Sequence, residues 1–342
     1  ALTTFSDLVG EMHKRVLSDA LASGVSEGES LEAGGTGARA YADAIATYLA
    51  LGVSRLADYS NSLATWDATR DSATHLFTRQ AIPMNWSFIE VNPFSGSSGN
   101  FFSLLNGICK VILRIPANTV GSAIQASADA RDYSGLVVST DPPYYDNIGY
   151  SDLSDFFYVW LRRSLSDIHP SLVSTMLTPK AEELVANPYR HNGKEQAAEF
   201  FVNGFNTVFE RIRQGANPDV PMTVYYAYKQ QDNGKDGKTS TGWHTLLDGL
   251  IGAGWEVTAT WPVRSELTNR MLSQGTNALA SSIVLACRPR PGDAPTTTQR
   301  AFVQRMKAEL PDALRTLMQG DIAPVDLAQA AIGPGIAVFS RY

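Results

Sequence analysis

The stretch VVSTDPPYYDNIGY, residues 137–150, decides how the fold is interpreted. Small and β-branched residues lead into the tetrapeptide Asp141-Pro142-Pro143-Tyr144. Neither proline has a backbone N–H, and the second proline forces the first into an extended conformation. The tetrapeptide is therefore expected to end a buried strand as a stiff loop that presents acceptors, a carboxylate and backbone carbonyls, and few donors.

Strand and helix patterns alternate around this stretch. The run GLVVST is short and apolar, which is typical of a parallel strand covered on both faces. Alternating strands and helices indicate a doubly wound, Rossmann-like α/β sheet. The last two strands have only a polar loop between them, so we expect an antiparallel hairpin at a sheet edge. The predicted strands are 86–91, 109–115, 135–140, 222–230, 255–263 and 281–290, and the helices among them are 152–165, 194–214 and 241–254.

Further helices are predicted at both ends of the chain. Apolar residues recur at helical spacing over 1–22 and 39–59, on either side of a Gly/Ser/Glu-rich loop. The tail over 299–331 is predicted to be helical and interrupted at Pro311. These patterns divide the chain into a helical N-terminal region (1–85), a catalytic α/β domain (86–290) and a C-terminal helical tail (291–342).

Composition narrows the class of protein. A net charge of −6 over 342 residues argues against a protein that coats nucleic acid, although an enzyme with a local basic surface stays open. The two cysteines, Cys109 and Cys287, and the scattered histidines show no metal-ligand spacing, so we expect no metal. No apolar run reaches the about 18 residues of a membrane helix, so we expect a cytoplasmic protein with no membrane partner. The N-terminus has no starting methionine, and we interpret the chain as a fragment of a longer protein.

The groups of the tetrapeptide are suited to holding an exocyclic amine of a nucleobase. An exocyclic amine such as N6 of adenine or N4 of cytosine is a poor nucleophile, because its lone pair is delocalised into the ring. Acceptors aimed at both amino hydrogens offset the charge that develops while the nitrogen attacks a methyl sulfonium. An aromatic ring at Tyr144 offers a face on which a flipped base can stack. The alternative is an ordinary turn after a strand, where Asp and Pro are common.

The motif STDPPYY resembles the catalytic signature of S-adenosylmethionine-dependent amino-methyltransferases of DNA, in the adenine-type form. The longer string TDPPYYDNIGYSDLSDFFYVWLRRSL resembles a narrower group, prokaryotic adenine-specific DNA methylases described as containing a zinc ribbon. Other stretches that resemble this group are PKAEELVANPYRH (179–191), YYAYKQ (225–230), TWPVRSE (260–266), NALASSIVLACRPR (277–290) and IGPGIAVFSRY (332–342).

The resemblance implies roles for particular residues. Asp141 and the carbonyl of Pro142 would hold the target amine, and Tyr144 would stack on the base. Asp129, in SADARDY, resembles the acidic position near S-adenosylmethionine. The implied partner is DNA, in restriction-modification or phage defence. The zinc-ribbon cysteines of the group are not in this chain.

The glycine-rich cofactor loop of the family, D-P-F-x-G-x-G, has only an imperfect counterpart here. NPFSGSSGN (92–100) follows the predicted strand WSFIEV and offers Asn92, Phe94, Gly96 and Gly99 as cofactor contacts. Asn92 replaces the acid, and only about nine residues precede the next predicted strand, which is short for a crossover helix. We therefore also expect that the true loop precedes residue 1, in a missing N-terminal segment, or comes from a further subunit.

Contacts with nucleic acid are expected beside the tetrapeptide and at the ends of later strands. The candidates are Tyr145, Asn147, Lys229, Gln230, Arg264 and Arg270. Phosphate contact and an ordinary surface position both fit the two arginines. The basic loops PYRHNGK (188–194) and QQDNGKDGK (230–238) either touch DNA or are simply mobile.

Four possible functions remain open at this point. Methylation of adenine N6 in DNA is favoured by aspartate at position 141, and methylation of cytosine N4 or of an RNA base is the alternative within enzymes. A non-catalytic DNA-binding or scaffold module without its own cofactor loop is the alternative from another class. Cytosine C5 methylation is excluded, because neither cysteine follows a proline as that nucleophile usually does.

Overall fold

A computed structural model shows a mixed α/β protein. Among the described residues it has eight helices, a four-stranded mixed sheet and a two-stranded ribbon. The chain divides into two compact units, which we call the helical unit (Ala1–Gln125 and Gly149–Ala181) and the sheet unit (Ala126–Ile148 and Glu182–Tyr342). The structure describes residues 1–116, 121, 123–145, 148–226, 241–264, 281–319 and 327–342.

The helical unit is built on small side chains. Alanines on one face of its second helix are buried, and Gly52 lies so close to Leu105 that a Cβ there would be 2.6 Å from the leucine Cδ2. Its core joins Val9, Ala46, Ala50, Val53, Leu165 and Ile168. Its elements are α1 (Leu2–Ala22), α2 (Ala38–Ala57), β1 (Trp66–Asp67), β2 (Ser72–Ala73), α3 (Phe101–Ile112) and α4 (Tyr150–Leu165).

The sheet unit carries the larger core. Phe201, Phe205 and Phe209 recur at helical spacing on one helix and are all buried. The indole N–H of Trp255 donates to the carbonyl of Phe209 at 3.0 Å, so this buried polar group is satisfied. The elements are β3 (Ser139–Thr140), α5 (Lys194–Gly215), β4 (Met222–Tyr226), α6 (Thr241–Gly252), β5 (Trp255–Arg264), β6 (Ser281–Pro289), α7 (Gln299–Gln319) and α8 (Leu327–Phe339).

The four-stranded sheet has the order β3-β4-β6-β5. β3 and β4 are parallel, with Thr140 opposite Val224. β6 is antiparallel to both β4 and β5, so the predicted hairpin is confirmed, with β5 at the edge. β3, β4 and β5 therefore run in one direction and end on one side of the sheet, which we call the carboxyl edge. A wider doubly wound sheet stays a prediction.

Two predicted strands are wrong. Residues 86–91 form no strand, and most of 109–115 lies in α3. The reason is local: the Asn100 side chain accepts from the backbone N–H of Ser103 at 2.9 Å and starts a helix directly before an apolar run. β3 covers only the last two residues of the predicted strand 135–140.

The predicted interruption at Pro311 is also wrong, because α7 continues through this residue. A proline removes one helical hydrogen bond, and tertiary packing can offset that loss. Here α7 packs against α8, with the rings of Phe302 and Phe339 at 5.6 Å between centroids. In the part of the chain that is described, the helices are all too short or too polar to cross a membrane.

Candidate active site at the carboxyl edge

The tetrapeptide 141–144 leaves the sheet where β3 ends. Thr140 pairs with Val224, and β4 continues for two more residues, Tyr225 and Tyr226. Asp141 is exposed beside this overhang, whereas the two prolines are half-buried. In open α/β sheets, ligands bind beyond the carboxyl ends of the strands, so the sequence-based placement of Asp141 matches this geometry.

The ring of Tyr144 is held from two directions. Its hydroxyl donates to Oδ1 of Asp141 at 3.2 Å. Its ring meets that of Tyr226 edge-to-face, with centroids 4.9 Å apart and planes at 80°. Tyr226 itself is only 3% exposed. The aspartate and the aromatic ring that the sequence nominated are therefore brought together and braced by the neighbouring strand.

Tyr226 was missed by sequence reasoning. Burial raises its pKa far above the usual tyrosine value, and the neighbouring Tyr144 adds to that shift, so the phenol stays protonated at neutral pH. A pattern could have found it, because Met222, Val224 and Tyr226 alternate inward along β4 while Tyr225 faces outward.

Tyr145 anchors the loop instead of extending from it. Its backbone has a φ of +47°, in the left-handed region that a bulky residue rarely adopts. Its carbonyl accepts from the backbone N–H of Ala186 at 2.9 Å, and its ring lies 5.1 Å from that of Phe201. The side chain predicted to contact nucleic acid thus packs against the core, and the next candidate, Asn147, lies outside the described residues.

Asp129 lies in a segment that is held by local hydrogen bonds. Ser127 donates its hydroxyl to the Asp129 carboxylate, and the Tyr133 hydroxyl donates to the carbonyl of Ala128 at 2.8 Å. The Tyr133 backbone packs against Gly215, where α5 ends ahead of β4. These contacts place Tyr133, and not Asp129 itself, beside the end of α5. Its role near a cofactor stays a prediction.

The loop 92–99 belongs to the helical unit and is shaped by its own turns. The Asn92 side chain accepts from the N–H of Phe94 at 2.9 Å, and the carbonyl of Pro93 accepts from the N–H of Phe101 at 2.8 Å. Gly99 has a φ of +79°, and a Cβ there would lie 2.6 Å from the Tyr59 ring. Backbone geometry and this close approach therefore both require glycine at position 99.

Gly96 differs, because nothing lies within 4 Å of a Cβ built there. Gly96 thus leaves room for a ligand, but the loop offers no acidic side chain to a ribose, so its fit to S-adenosylmethionine is partial. The loop leads into α3, but residues 86–91 before it form no strand, so only the helical half of the strand-loop-helix context of a cofactor loop is present. The assignment of Asn92, Phe94, Gly96 and Gly99 to a cofactor stays a prediction.

The remaining nucleic-acid candidates lie at or beyond the ends of β4 and β5. Arg264 is the last residue of β5, opposite Ser281, so the strand extends one residue beyond the predicted 255–263. Lys229, Gln230 and Arg270 lie outside the described residues. Within the described part of the chain, His, Cys, Asp and Glu form no group of three that could hold a metal.

Comparisons with known proteins assign this chain to no family. Searches against protein-family models, curated proteins and solved structures each found no significant match. The function therefore has to be argued from the site itself.

Proposed function

We propose that this chain is the catalytic region of an S-adenosylmethionine-dependent DNA methyltransferase that acts on the N6 amine of adenine. The observation that carries the proposal is the tetrapeptide at the carboxyl end of β3, where Asp141 is exposed and the Tyr144 ring is braced by Tyr226. An acceptor and an aromatic face at one strand end are what a flipped adenine requires.

Each group of the tetrapeptide has one task. The free oxygen of the Asp141 carboxylate accepts one amino hydrogen, and the carbonyl of Pro142 accepts the other. The two acceptors draw the amine nitrogen towards tetrahedral geometry, which takes its lone pair out of conjugation with the ring, and they offset the positive charge that develops on nitrogen. The Tyr144 ring holds the base by stacking, worth about 1–3 kcal/mol. Bound S-adenosylmethionine supplies the methyl group as an electrophilic sulfonium.

The proposal includes a partner, a cellular compartment and a biological role. Its partner is DNA, its compartment is the cytoplasm, and its biological role is restriction-modification or phage defence. The cofactor loop is either 92–99 in this chain or a loop supplied by a further subunit.

Calorimetric titration of S-adenosylmethionine into the 342-residue chain separates these sources of the loop. Stoichiometric binding supports a complete cofactor site, and the variant Asn92→Ala then tests whether the loop 92–99 forms it. A folded chain that does not bind points to a loop supplied from elsewhere.

Methyl transfer itself is tested with Asp141→Ala. Removing one preorganised group that stabilises developing charge costs about 100- to 1,000-fold in kcat, so we expect that loss. The matched control is Asp219→Ala, at an exposed position in the loop before β4, which should leave the rate unchanged. Oligonucleotides with adenine or cytosine as the only exocyclic amine acceptor distinguish N6 from N4 transfer. An Asp141→Ala variant with full activity would contradict the proposed site.

A further inference from the structure

Tyr189 presents its ring to solvent from a structured turn. The residue is 98% exposed, more than any other large hydrophobic residue whose exposure the structure describes. A single exposed tyrosine is ordinary on a protein surface, so exposure alone does not indicate a role. Here the backbone on both sides is fixed by specific contacts.

The turn is closed by its own hydrogen bonds. The Asn187 side chain accepts from the N–H of Tyr189 at 2.9 Å, and the Asn187 carbonyl accepts from the N–H of Arg190 at 3.1 Å. The carbonyl of Pro188 accepts from the N–H of Gly193 at 2.9 Å. The sequence left open whether the basic loop 188–194 is mobile or touches DNA. Its hydrogen bonds show that it forms a defined turn.

The residues that flank Tyr189 are anchored in the sheet unit. Before it, Val185 and Ala186 are buried. After it, Arg190 forms an ion pair with Glu183, and the two side chains are 15% and 16% exposed. His191 stacks on the ring of Phe200 with centroids 3.9 Å apart. The position of the Tyr189 backbone is thus set on both sides, while its ring points away from the core.

The same segment is attached to the candidate active site. The N–H of Ala186 donates to the carbonyl of Tyr145, the residue that directly follows the tetrapeptide. Only two residues separate Ala186 from Tyr189, a chain length of about 10 Å at full extension. A nucleotide that flanks a base held by Asp141 and Tyr144 is therefore within reach of the Tyr189 ring.

Charge shows which contact this turn can make. Glu183 neutralises Arg190, and Glu195 follows Lys194 in the first turn of α5, so the surface around Tyr189 has little net charge. A contact made here is thus stacking on a ring and not attraction to phosphate. Base stacking on an aromatic side chain tolerates any base, because every base has a π-face.

We propose that Tyr189 is a stacking platform for an unpaired base of the DNA strand beside the target nucleotide. This inference rests on the proposed function for its ligand, but it concerns DNA binding and not methyl transfer. It predicts a preference for DNA with unpaired bases, since a base inside a duplex has no free face.

The test is fluorescence anisotropy of a labelled single-stranded oligonucleotide and its duplex, with the full chain and three variants. Tyr189→Ala should raise Kd for the single strand by about 5- to 150-fold, the equivalent of about 1–3 kcal/mol of stacking. Tyr189→Phe keeps the ring and should bind within about twofold of wild type. Tyr41→Ala, which removes a tyrosine 58% exposed on α2, is the matched control and should bind as wild type.

Salt dependence provides the second measurement. Loss of a phosphate contact lowers the slope of log Kd against log salt, whereas loss of a stacked base leaves that slope unchanged. We expect parallel lines for wild type and Tyr189→Ala. A changed slope would show that the turn contacts phosphate and would overturn stacking as the mechanism.

The two proposals fail in different ways. If a folded Tyr189→Ala variant binds the single strand as tightly as wild type, the platform is wrong, whatever Asp141→Ala does to methyl transfer. If the chain transfers no methyl group but binds single strands through Tyr189, the result supports the stacking platform and contradicts the proposed reaction. A wild-type chain that binds no DNA overturns the platform.

Discussion

The two loops nominated from the sequence, 92–99 and 141–145, each lie against a tyrosine ring, and the two rings are held differently. Tyr226, beside the second loop, is 3% exposed in the core of the sheet unit. Tyr59, beside the first, is half-buried, and its hydroxyl lies 3.1 Å from Nε2 of His75. His75 in turn contacts Oδ2 of Asp58 at 2.7 Å.

The difference lies in what sets the shape of each loop. Loop 141–145 is tied to distant parts of the chain, through Tyr226, Ala186 and Phe201. Loop 92–99 is shaped by its own turn at Asn92, and its contacts with distant residues are with two half-buried rings, Tyr59 at Gly99 and Phe5 at Phe94. Changes behind the first kind of loop should therefore affect the stability of a whole unit, and changes behind the second should act locally.

The largest effect is expected from Tyr226→Ala. The substitution leaves a cavity in the core of the sheet unit and removes the edge-to-face partner of Tyr144. Truncating a buried aromatic side chain costs about 3–5 kcal/mol, and methyl transfer should fall as well because Tyr144 loses its support. Denaturant unfolding followed by circular dichroism measures the loss. The adjacent Tyr225→Ala, at a residue 37% exposed on the other face of β4, is the control and should cost about 1 kcal/mol or less.

Equal losses from these two variants would contradict the role of Tyr226 as the buried support of loop 141–145. They would mean that the alternation along β4 does not decide which tyrosine supports the carboxyl edge. A stability loss for Tyr226→Ala with an unchanged methyl-transfer rate would separate the core role of this residue from any role in positioning Tyr144.

A smaller effect is expected in the loop 92–99. Gly99→Ala forces a side chain into the left-handed region and against the Tyr59 ring, which costs about 1–2 kcal/mol from the backbone alone. Gly96→Ala meets open space at an ordinary φ and should be neutral or stabilise slightly, by less than about 1 kcal/mol. Thermal unfolding of both variants gives the comparison. If Gly96→Ala is stable but loses S-adenosylmethionine binding, a cofactor contact at Gly96 gains direct support.

Local patterns predicted much of the fold. The helices α1, α2, α4 and α5 lie within a residue or two of their predicted bounds, because each has a continuous apolar stripe. The hairpin of β5 and β6 was predictable because no helical pattern separates the two strands. The placement of Asp141 at a strand end followed from the two prolines, which stop a central strand.

The secondary-structure prediction failed where one sequence pattern fits both a helix and a strand. The run 109–115 is apolar and β-branched enough for a strand, but the cap at Asn100 and the length of the run from 101 favour a helix. The alternation along β4 marks Tyr226 as buried, but its contact with the tetrapeptide could not be predicted, because Tyr226 and Phe201 lie about 60 to 85 residues from the tetrapeptide along the sequence. Contacts of this range follow from packing and not from local propensity.

The smallest effect is expected from Tyr144→Phe, which keeps the ring at the carboxyl edge and removes only the hydroxyl. That hydroxyl donates to an exposed carboxylate over 3.2 Å, a bond worth about 0.5–1.5 kcal/mol at most. Stability should hardly change, and methyl transfer should fall by less than about tenfold, because Asp141 still accepts the amine and the ring still stacks. Tyr144→Ala, measured in the same assay, removes the stacking face and should cost more. A Tyr144→Phe variant as inactive as Asp141→Ala would instead show that the hydroxyl orients the carboxylate, so that the loop works through one hydrogen bond and not through the ring.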